Sequence, residues 1–167
     1  MTRAMFEDLN TPDDLFTYRL GALLSAEHDS LNMLQDLQGQ VLRDDVRQIF
    51  AHHEVETRGQ IANVERCFDL LGKEIDDAPS PTTRGLAEEA NALLRKADPT
   101  LCDQVALGEG LETEHYEIAA YTTLIDTADA MGMAEVCELL RANLREEQEA
   151  AGRLEAATHA LTHVSAA

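Results

Sequence analysis

The sequence contains a distinctive segment, EHYEIAAY, at residues 114–121. Its acidic and apolar side chains recur at spacings of three and four residues, which is the period of one face of an α-helix. The same face continues through Leu107 and Leu111 before this segment and through Leu124 after it. The face is therefore apolar at both ends and acidic at its centre, where an ordinary helix would present only apolar side chains to a core.

Glycine and proline residues divide the rest of the chain into segments that also have the helical period. We predict an all-α chain with long helices at about 13–38, 42–71, 98–130 and 134–162, a short helix at 83–97 and a loop at 73–82. Gly39 and Gly72 are expected to end the first two helices. Short turns within each pair of long helices and one long connection between the pairs predict an antiparallel four-helix bundle with a single crossover. The short helix would lie on the outside of one domain spanning 1–167, with an ordered core at about 11–163.

The acidic positions lie at matched depths in the two predicted hairpins. Glu27 and Glu56 are 29 residues apart, and Glu117 and Glu147 are 30 apart, on either side of the two turns. At about 1.5 Å of rise per residue, each hairpin brings its acids to the same level of the bundle. The inward acidic and histidine positions are therefore our candidate metal ligands, namely Glu27, His53, Glu56, Glu114, Glu117 and Glu147.

Carboxylates gathered in an apolar interior require compensation, because each costs several kcal/mol to remove from water and its neighbours repel it. Carboxylate oxygens with one imidazole suit iron or manganese, as two ions that share carboxylates, and zinc is a further candidate because the affinity order of divalent metals favours it. Two alternatives stay open on the sequence alone. Either Glu114 or Glu117 is the main ligand from its helix, and either His53 or His52 faces the site.

Other polar residues near these positions have two interpretations each. Tyr121 lies one turn beyond Glu117 and is either a hydrogen-bond donor to the site or a core tyrosine. Gln60 is either a partner of a ligand carboxylate or a buried polar spacer. Arginines such as Arg153 are expected to pair with surplus acids on outer faces, where each pair contributes little to stability.

Composition excludes several classes of partner. With 13 basic and 32 acidic residues, the 167-residue chain has a net charge of −19, which disfavours nucleic acid and anionic membrane surfaces and favours cations. No apolar run approaches the roughly 18 residues of a membrane span. The first ten residues lack an apolar signal core, so we expect a cytoplasmic protein. Three widely spaced cysteines, Cys67, Cys102 and Cys137, argue against a disulfide framework or a structural zinc site.

Several segments resemble the YciE/YciF-type ferritin-like proteins. The resemblance extends from Thr11 to about Leu161 and is most specific at residues 114–121. The other segments that carry it are AE at 26–27, HEVETRGQ at 53–60, CFDLLG at 67–72 and LREE at 144–147. It implies a ferritin-like bundle with a dinuclear metal centre, often as a homodimer, and an association with bacterial stress responses. Ferritin-like sites usually carry Glu-x-x-His on two helices. Here Gly59 follows Glu56 and Ala150 follows Glu147 at that spacing, which leaves one expected histidine ligand.

Three functional hypotheses follow. In the first, Glu56 and Glu147 bridge two ions, with Glu27, Glu117 and His53 as terminal ligands, and the centre oxidises iron or consumes oxygen or peroxide. In the second, the protein is a stress-associated binding or structural protein in which the metal only stabilises the bundle. In the third, the bundle is metal-free and its core acids are protonated.

Overall fold

The computed structural model describes residues 8–76 and 78–164, and these residues form helices without any strand. The long helices are α1 (Pro12–Gln40), α2 (Asp44–Leu71), α4 (Cys102–Ala130) and α5 (Ala134–Val164), and the shorter α3 is Pro81–Lys96. A single 3-10 turn, Pro99–Leu101, precedes α4. The predicted all-α class is confirmed.

Local sequence signals account for most of the helix ends. Thr11 caps α1 through a capping box with Asp14, and Pro12 occupies the first turn. Gly72 at the end of α2 and Gly132 in the turn before α5 have φ of 63° and 73°. These left-handed conformations favour glycine, which has no Cβ to clash with the following carbonyl.

The end of α1 differs from the prediction. The helix continues through Gly39 to Gln40 and is followed by Val41 in an extended conformation. Arg47 of α2 reaches back and donates hydrogen bonds to the carbonyl oxygens of Gln38 and Val41. A side chain from the next helix therefore satisfies this helix end, so a left-handed glycine is not required.

The connection between α2 and α4 spans the length of the bundle. At one end, the Asp76 carbonyl and Ala78 amide lie so close to Gly21 of α1 that a Cβ at that glycine would meet them at 1.9 and 3.1 Å. At the other end, the Asp103 carboxylate of α4 accepts a hydrogen bond from the Leu42 amide in the α1–α2 turn. The helix pairs α1–α2 and α4–α5 thus form two hairpins, and α3 packs outside against α1 and α4. The predicted single long crossover is confirmed.

The apolar interior is divided into two clusters. One lies near the α4–α5 turn and includes Phe16, Leu20, Val64, Leu124 and Leu140. The other lies near the α1–α2 turn and includes Leu34, Leu37, Phe50, Leu107 and Leu154. Buried acidic residues separate them, as the matched depths of the acidic positions predict. In α2 the buried row runs through Phe50, and the adjacent Ile49 is half-buried.

Within the described residues, no helix has the combination of length and hydropathy that crossing a lipid bilayer requires. A single domain over 1–167 stays a prediction, since it includes residues outside the described part at both ends. The expected absence of a signal segment rests partly on residues 1–7, which also lie outside that part.

Candidate metal centre

The structure brings five of the six candidate ligands into one buried layer between the two apolar clusters. They come from four different helices, and each is at most 1% exposed: Glu27 of α1, His53 of α2, Glu114 and Glu117 of α4, and Glu147 of α5. Both glutamates of α4 therefore face the interior, while His115 between them is exposed. The sixth candidate, Glu56, is half-buried at the edge of the layer.

His53 lies at the centre of this arrangement. Its Nε2 is 3.0 Å from Oε2 of Glu114 and 3.6 Å from Oε2 of Glu147. One ligand atom from each of these three residues lies within 4.8 Å of the other two, so the group could hold a metal ion. Of the two adjacent histidines, His53 is the inward one, because His52 is exposed.

Glu56 lies on the opposite side of the His53 ring. Its Oε2 is 2.9 Å from Nδ1 of His53, whereas the buried carboxylates face Nε2. Glu56 also pairs with Arg153 of α5 and with His52. Its pKa is lowered because the hydrogen bond from His53 and the charge of Arg153 outweigh the opposing effect of burial. Arg153 was expected on an outer face, and the structure places its guanidinium beside the candidate site instead.

A hydrogen-bond network holds Glu27 on the far side of the layer. The Tyr121 hydroxyl donates to Oε1 of Glu27, and Nδ2 of Asn143 donates to that hydroxyl over 2.9 Å. Asn143 also donates to the Gln60 carbonyl, over 3.1 Å. Tyr121 is thus a donor to the site. Asn143 is not among the predicted site residues, although it lies four residues before Glu147 and therefore on the same face of α5.

Glu27, Glu117 and Glu147 favour their protonated forms in the absence of a bound cation. Burial raises the pKa of Glu27 to about 8, although the hydrogen bond from Tyr121 opposes this. Burial and the neighbouring carboxylates also raise the pKa values of Glu117 and Glu147 well above the usual range. After burial, the charge of Glu27 contributes most to the raised pKa of Glu117.

His53 favours its charged form. Burial disfavours the imidazolium, but Glu114 and Glu56 outweigh this effect and raise the pKa of His53 to about 10. The imidazolium can therefore act as the internal cation of a metal-free site, with Glu114 at Nε2 and Glu56 at Nδ1.

Seven buried polar atoms of this layer have no hydrogen-bond partner. They are Oε2 of Glu27, Nε2 of His53, Oε2 of Glu114, and both carboxylate oxygens of Glu117 and Glu147. The approach of His53 to Glu114 is within ion-pair distance but outside hydrogen-bonding geometry. Unpartnered buried polar groups are costly and rare in proteins, and a cluster of hard oxygen donors with one imidazole nitrogen fits metal ligation. Four carboxylates would also balance the charge of two divalent ions.

The fold and this layer define a ferritin-like four-helix bundle with a candidate carboxylate–histidine metal site. The family model for a domain of unknown function, DUF892, matches residues 11–167. The chain therefore belongs to the DUF892 family.

Individual relatives agree with this assignment. Protein YciF of Escherichia coli (strain K12) is 29% identical over 143 residues, which are 84% of this chain and 86% of that protein. The solved structure of the E. coli stress protein YciF matches with a TM-score of 0.85 and 28% identity, over 90% of this chain and 96% of that one. YcfI of Rhodopseudomonas palustris matches with a TM-score of 0.87 and 31% identity, over 90% and 97%. The resemblance to YciE/YciF-type proteins is confirmed.

Proposed function

We propose that this protein binds two divalent metal ions in the buried layer, with iron as the favoured metal and manganese or zinc as alternatives. The proposal rests on seven buried oxygen and nitrogen atoms that have no hydrogen-bond partner and could act as metal ligands. Five side chains of four helices contribute them. Such a set is expensive to bury unless cations satisfy it. The donor chemistry, mostly carboxylate with one imidazole, favours iron and manganese over metals that prefer thiolates.

The geometry supports a division of the ligands into two groups. His53, Glu114 and Glu147 would hold one ion, since their ligand atoms lie within 4.8 Å of one another. Glu27 and Glu117 would hold the other. Burial and the charges of Glu114, Glu117 and Glu27 raise the pKa of Glu147, so this carboxylate lies in the field of both groups, and we propose that it is shared between them.

Glu56 has a different role in this scheme. A bridging position was expected for it, but its contact with Nδ1 of His53 is the arrangement in which a carboxylate orients a ligand histidine and increases its basicity. We therefore propose that Glu56 fixes the ring of His53, so that Nε2 faces the metal.

We further propose that the centre oxidises ferrous iron while oxygen or peroxide is reduced. Bound iron supplies this redox chemistry. The protein supplies a site between two apolar clusters, from which bulk water is excluded, and ligands in defined positions. Tyr121 holds Oε1 of Glu27 and leaves Oε2 without a protein partner, available as a ligand.

Metal analysis and turnover test these two proposals separately. Protein purified without chelator should contain two metal ions per chain, and anomalous scattering at the iron and manganese edges should locate them among the five buried ligands. Glu147→Gln should lower the metal content, while Glu155→Gln, an exposed glutamate on the same helix, should not. Metal-free wild-type protein that stays empty in excess ferrous iron would contradict the site.

A non-enzymatic role is the second candidate, because a structural role is suggested for the similar YcfI protein. In that case the metal would act as a folding ligand, and the loaded protein would neither oxidise excess ferrous iron nor consume peroxide. Two bound ions with no turnover would favour this role over an oxidoreductase. A homodimer, a stress-related function and a cytoplasmic location stay predictions of the family resemblance and the sequence.

A further inference from the structure

A row of contacting polar side chains leads from the surface to the buried layer along the seam between α2 and α5. Nε2 of His52 is 3.1 Å from Oε1 of Glu56, and Oε2 of Glu56 is 2.9 Å from Nδ1 of His53. Nε2 of His53 is in turn 3.0 Å from Glu114. Side-chain exposure falls along this row from 62% at His52 to 13% at Glu56 and 2% at His53. The row therefore offers a nitrogen or carboxylate ligand at every depth.

Arg153 of α5 pairs with Glu56, the middle member of this row. Its side chain is 30% exposed, and its guanidinium pairs with Oε2 of Glu56, the same oxygen that contacts His53. The Nε of Arg153 is buried without a hydrogen-bond partner, so the side chain is only partly satisfied in this position. Glu146, about two turns earlier on α5, is half-buried and interacts electrostatically with Glu56. A positive group thus lies where an incoming cation would meet Glu56, the first carboxylate along the row.

The opposite side of the layer is covered by the crossover. Asp29, on α1 next to buried Ser30, accepts a hydrogen bond of 2.8 Å from the Thr83 hydroxyl of α3. The hydroxyls of Ser80 and Tyr116 lie 3.4 Å apart and join the start of α3 to α4. A cation approaching from this side would have to displace these contacts with the crossover, whereas the contacts along the row are those of Glu56 with His52, His53 and Arg153.

We propose that divalent cations reach the buried layer through the α2–α5 seam, with His52 and Glu56 as successive ligands during entry. Arg153 is the positive group that holds this route closed, and its side chain must leave Glu56 for a cation to pass. The inference rests on the proposed metal site, but it concerns how the site is filled and not which residues retain the ions.

Loading of the metal-free full-length protein with Co²⁺, followed by stopped-flow absorbance, tests the route. Arg153→Gln should load roughly tenfold faster than wild type, because it removes both a steric obstacle and a repelling charge. His52→Gln should load several-fold more slowly. The final cobalt content, measured after desalting, should equal that of wild type in both variants. Matched controls are Arg141→Gln and His115→Gln, which change the same residue types at exposed positions outside the seam.

The rate of cobalt release provides a second measurement, which would not change in this way if Arg153 had only a structural role. A substitution that lowers only the kinetic barrier to passage through the seam increases the rates of entry and exit by the same factor. Cobalt release into excess chelator should therefore be faster in Arg153→Gln by the same factor as loading. Wild-type loading rates in both seam variants would overturn the route, as would a reduced final cobalt content. A wild-type protein that takes up no cobalt would instead contradict the proposed site itself.

Discussion

The hydroxyl of Tyr121 on α4 donates its hydrogen bond to Glu27 on α1, and this contact joins the two helix hairpins through the buried layer. Asn143 of α5 orients the same hydroxyl. Burial and the charge of Glu27 raise the pKa of Tyr121 well above its usual range, so the phenol keeps its proton and acts as a donor. The tyrosine thereby holds a carboxylate that would otherwise have a second unpartnered buried oxygen.

Tyr121→Phe should therefore destabilise the protein. Removal of the hydroxyl leaves Oε1 of Glu27 and Nδ2 of Asn143 each with one partner fewer, at a cost of about 1–3 kcal/mol in the free energy of unfolding. Urea denaturation in the presence of chelator measures this cost without a contribution from metal. Tyr116→Phe is the control, since its hydroxyl makes only a 3.4 Å contact with Ser80 and its loss should cost much less. Equal stabilities of the two variants would contradict the role of Tyr121.

The chelated protein should lose stability as the pH rises from 6 to 9. Glu27 has a pKa raised from 4.5 to about 8, so its unfolded form ionises first and stability falls with increasing pH until the folded form also ionises. His53 has a pKa raised from 6.5 to about 10, so its contribution is complete below pH 6.5 and is lost as the pH approaches 10. Each group contributes a slope of up to about 1.4 kcal/mol per pH unit within its window.

The metal-loaded protein should show a weaker pH dependence over the same interval, or one of opposite sign, because its ligands must be deprotonated. Thermal unfolding of both forms between pH 6 and 9 provides the measurement. Identical profiles with and without chelator would favour a metal-free bundle with protonated acids.

Metal binding near pH 7 should release about four protons per chain. The raised pKa values of Glu27, Glu117 and Glu147 account for three of them, and His53 accounts for the fourth. Calorimetric titration in buffers of different ionisation enthalpy gives this number. His53→Gln should release one proton fewer. Binding without proton release would show that the ligands are already ionised, which the buried geometry opposes.

Gly21→Ala should destabilise the bundle even though alanine is the better helix former. A Cβ at this position would lie 1.9 Å from the Asp76 carbonyl oxygen, so the crossover would have to move away from α1. Chemical denaturation should show a loss of roughly 1–3 kcal/mol, the usual range for overpacking. Gly59→Ala, a helical position on α2 with no neighbouring atom within 4 Å of the added Cβ, should instead gain up to about 1 kcal/mol. A gain in both variants would place the crossover farther from α1 than the structure does.

Much of the fold and of the acidic layer could be predicted because both depend on regular helix geometry. Helical periodicity and a constant rise are sufficient to bring Glu27, Glu117 and Glu147 to one level. The phase of α2 was less certain, since half-buried Ile49 and buried Phe50 are adjacent and both apolar. The sequence therefore did not distinguish His52 from His53, and only packing against the other helices does so.

Features that depend on contacts between distant segments were not predictable. The pairing of Arg153 with Glu56 joins residues 97 positions apart, and nothing in the local sequence of α5 indicates it. Arg47 is a local case of the same kind, because its hydrogen bonds to the carbonyl oxygens of Gln38 and Val41, which let α1 continue past Gly39, form only when α2 folds back against the end of α1. In both cases the packing of the helices determines which partner a long, flexible side chain contacts.

The division of the apolar interior into two clusters has a consequence for the cooperativity of unfolding. Each cluster lies at one end of the bundle, and the acidic layer between them contributes little hydrophobic cohesion. Ions held by ligands from all four long helices would cross-link the middle of the bundle and make its two ends melt as one unit. If the layer is only protonated, amide hydrogen exchange at one end of the bundle would become partly independent of exchange at the other end. The occupancy of the layer by metal ions would then determine the size of the cooperative folding unit.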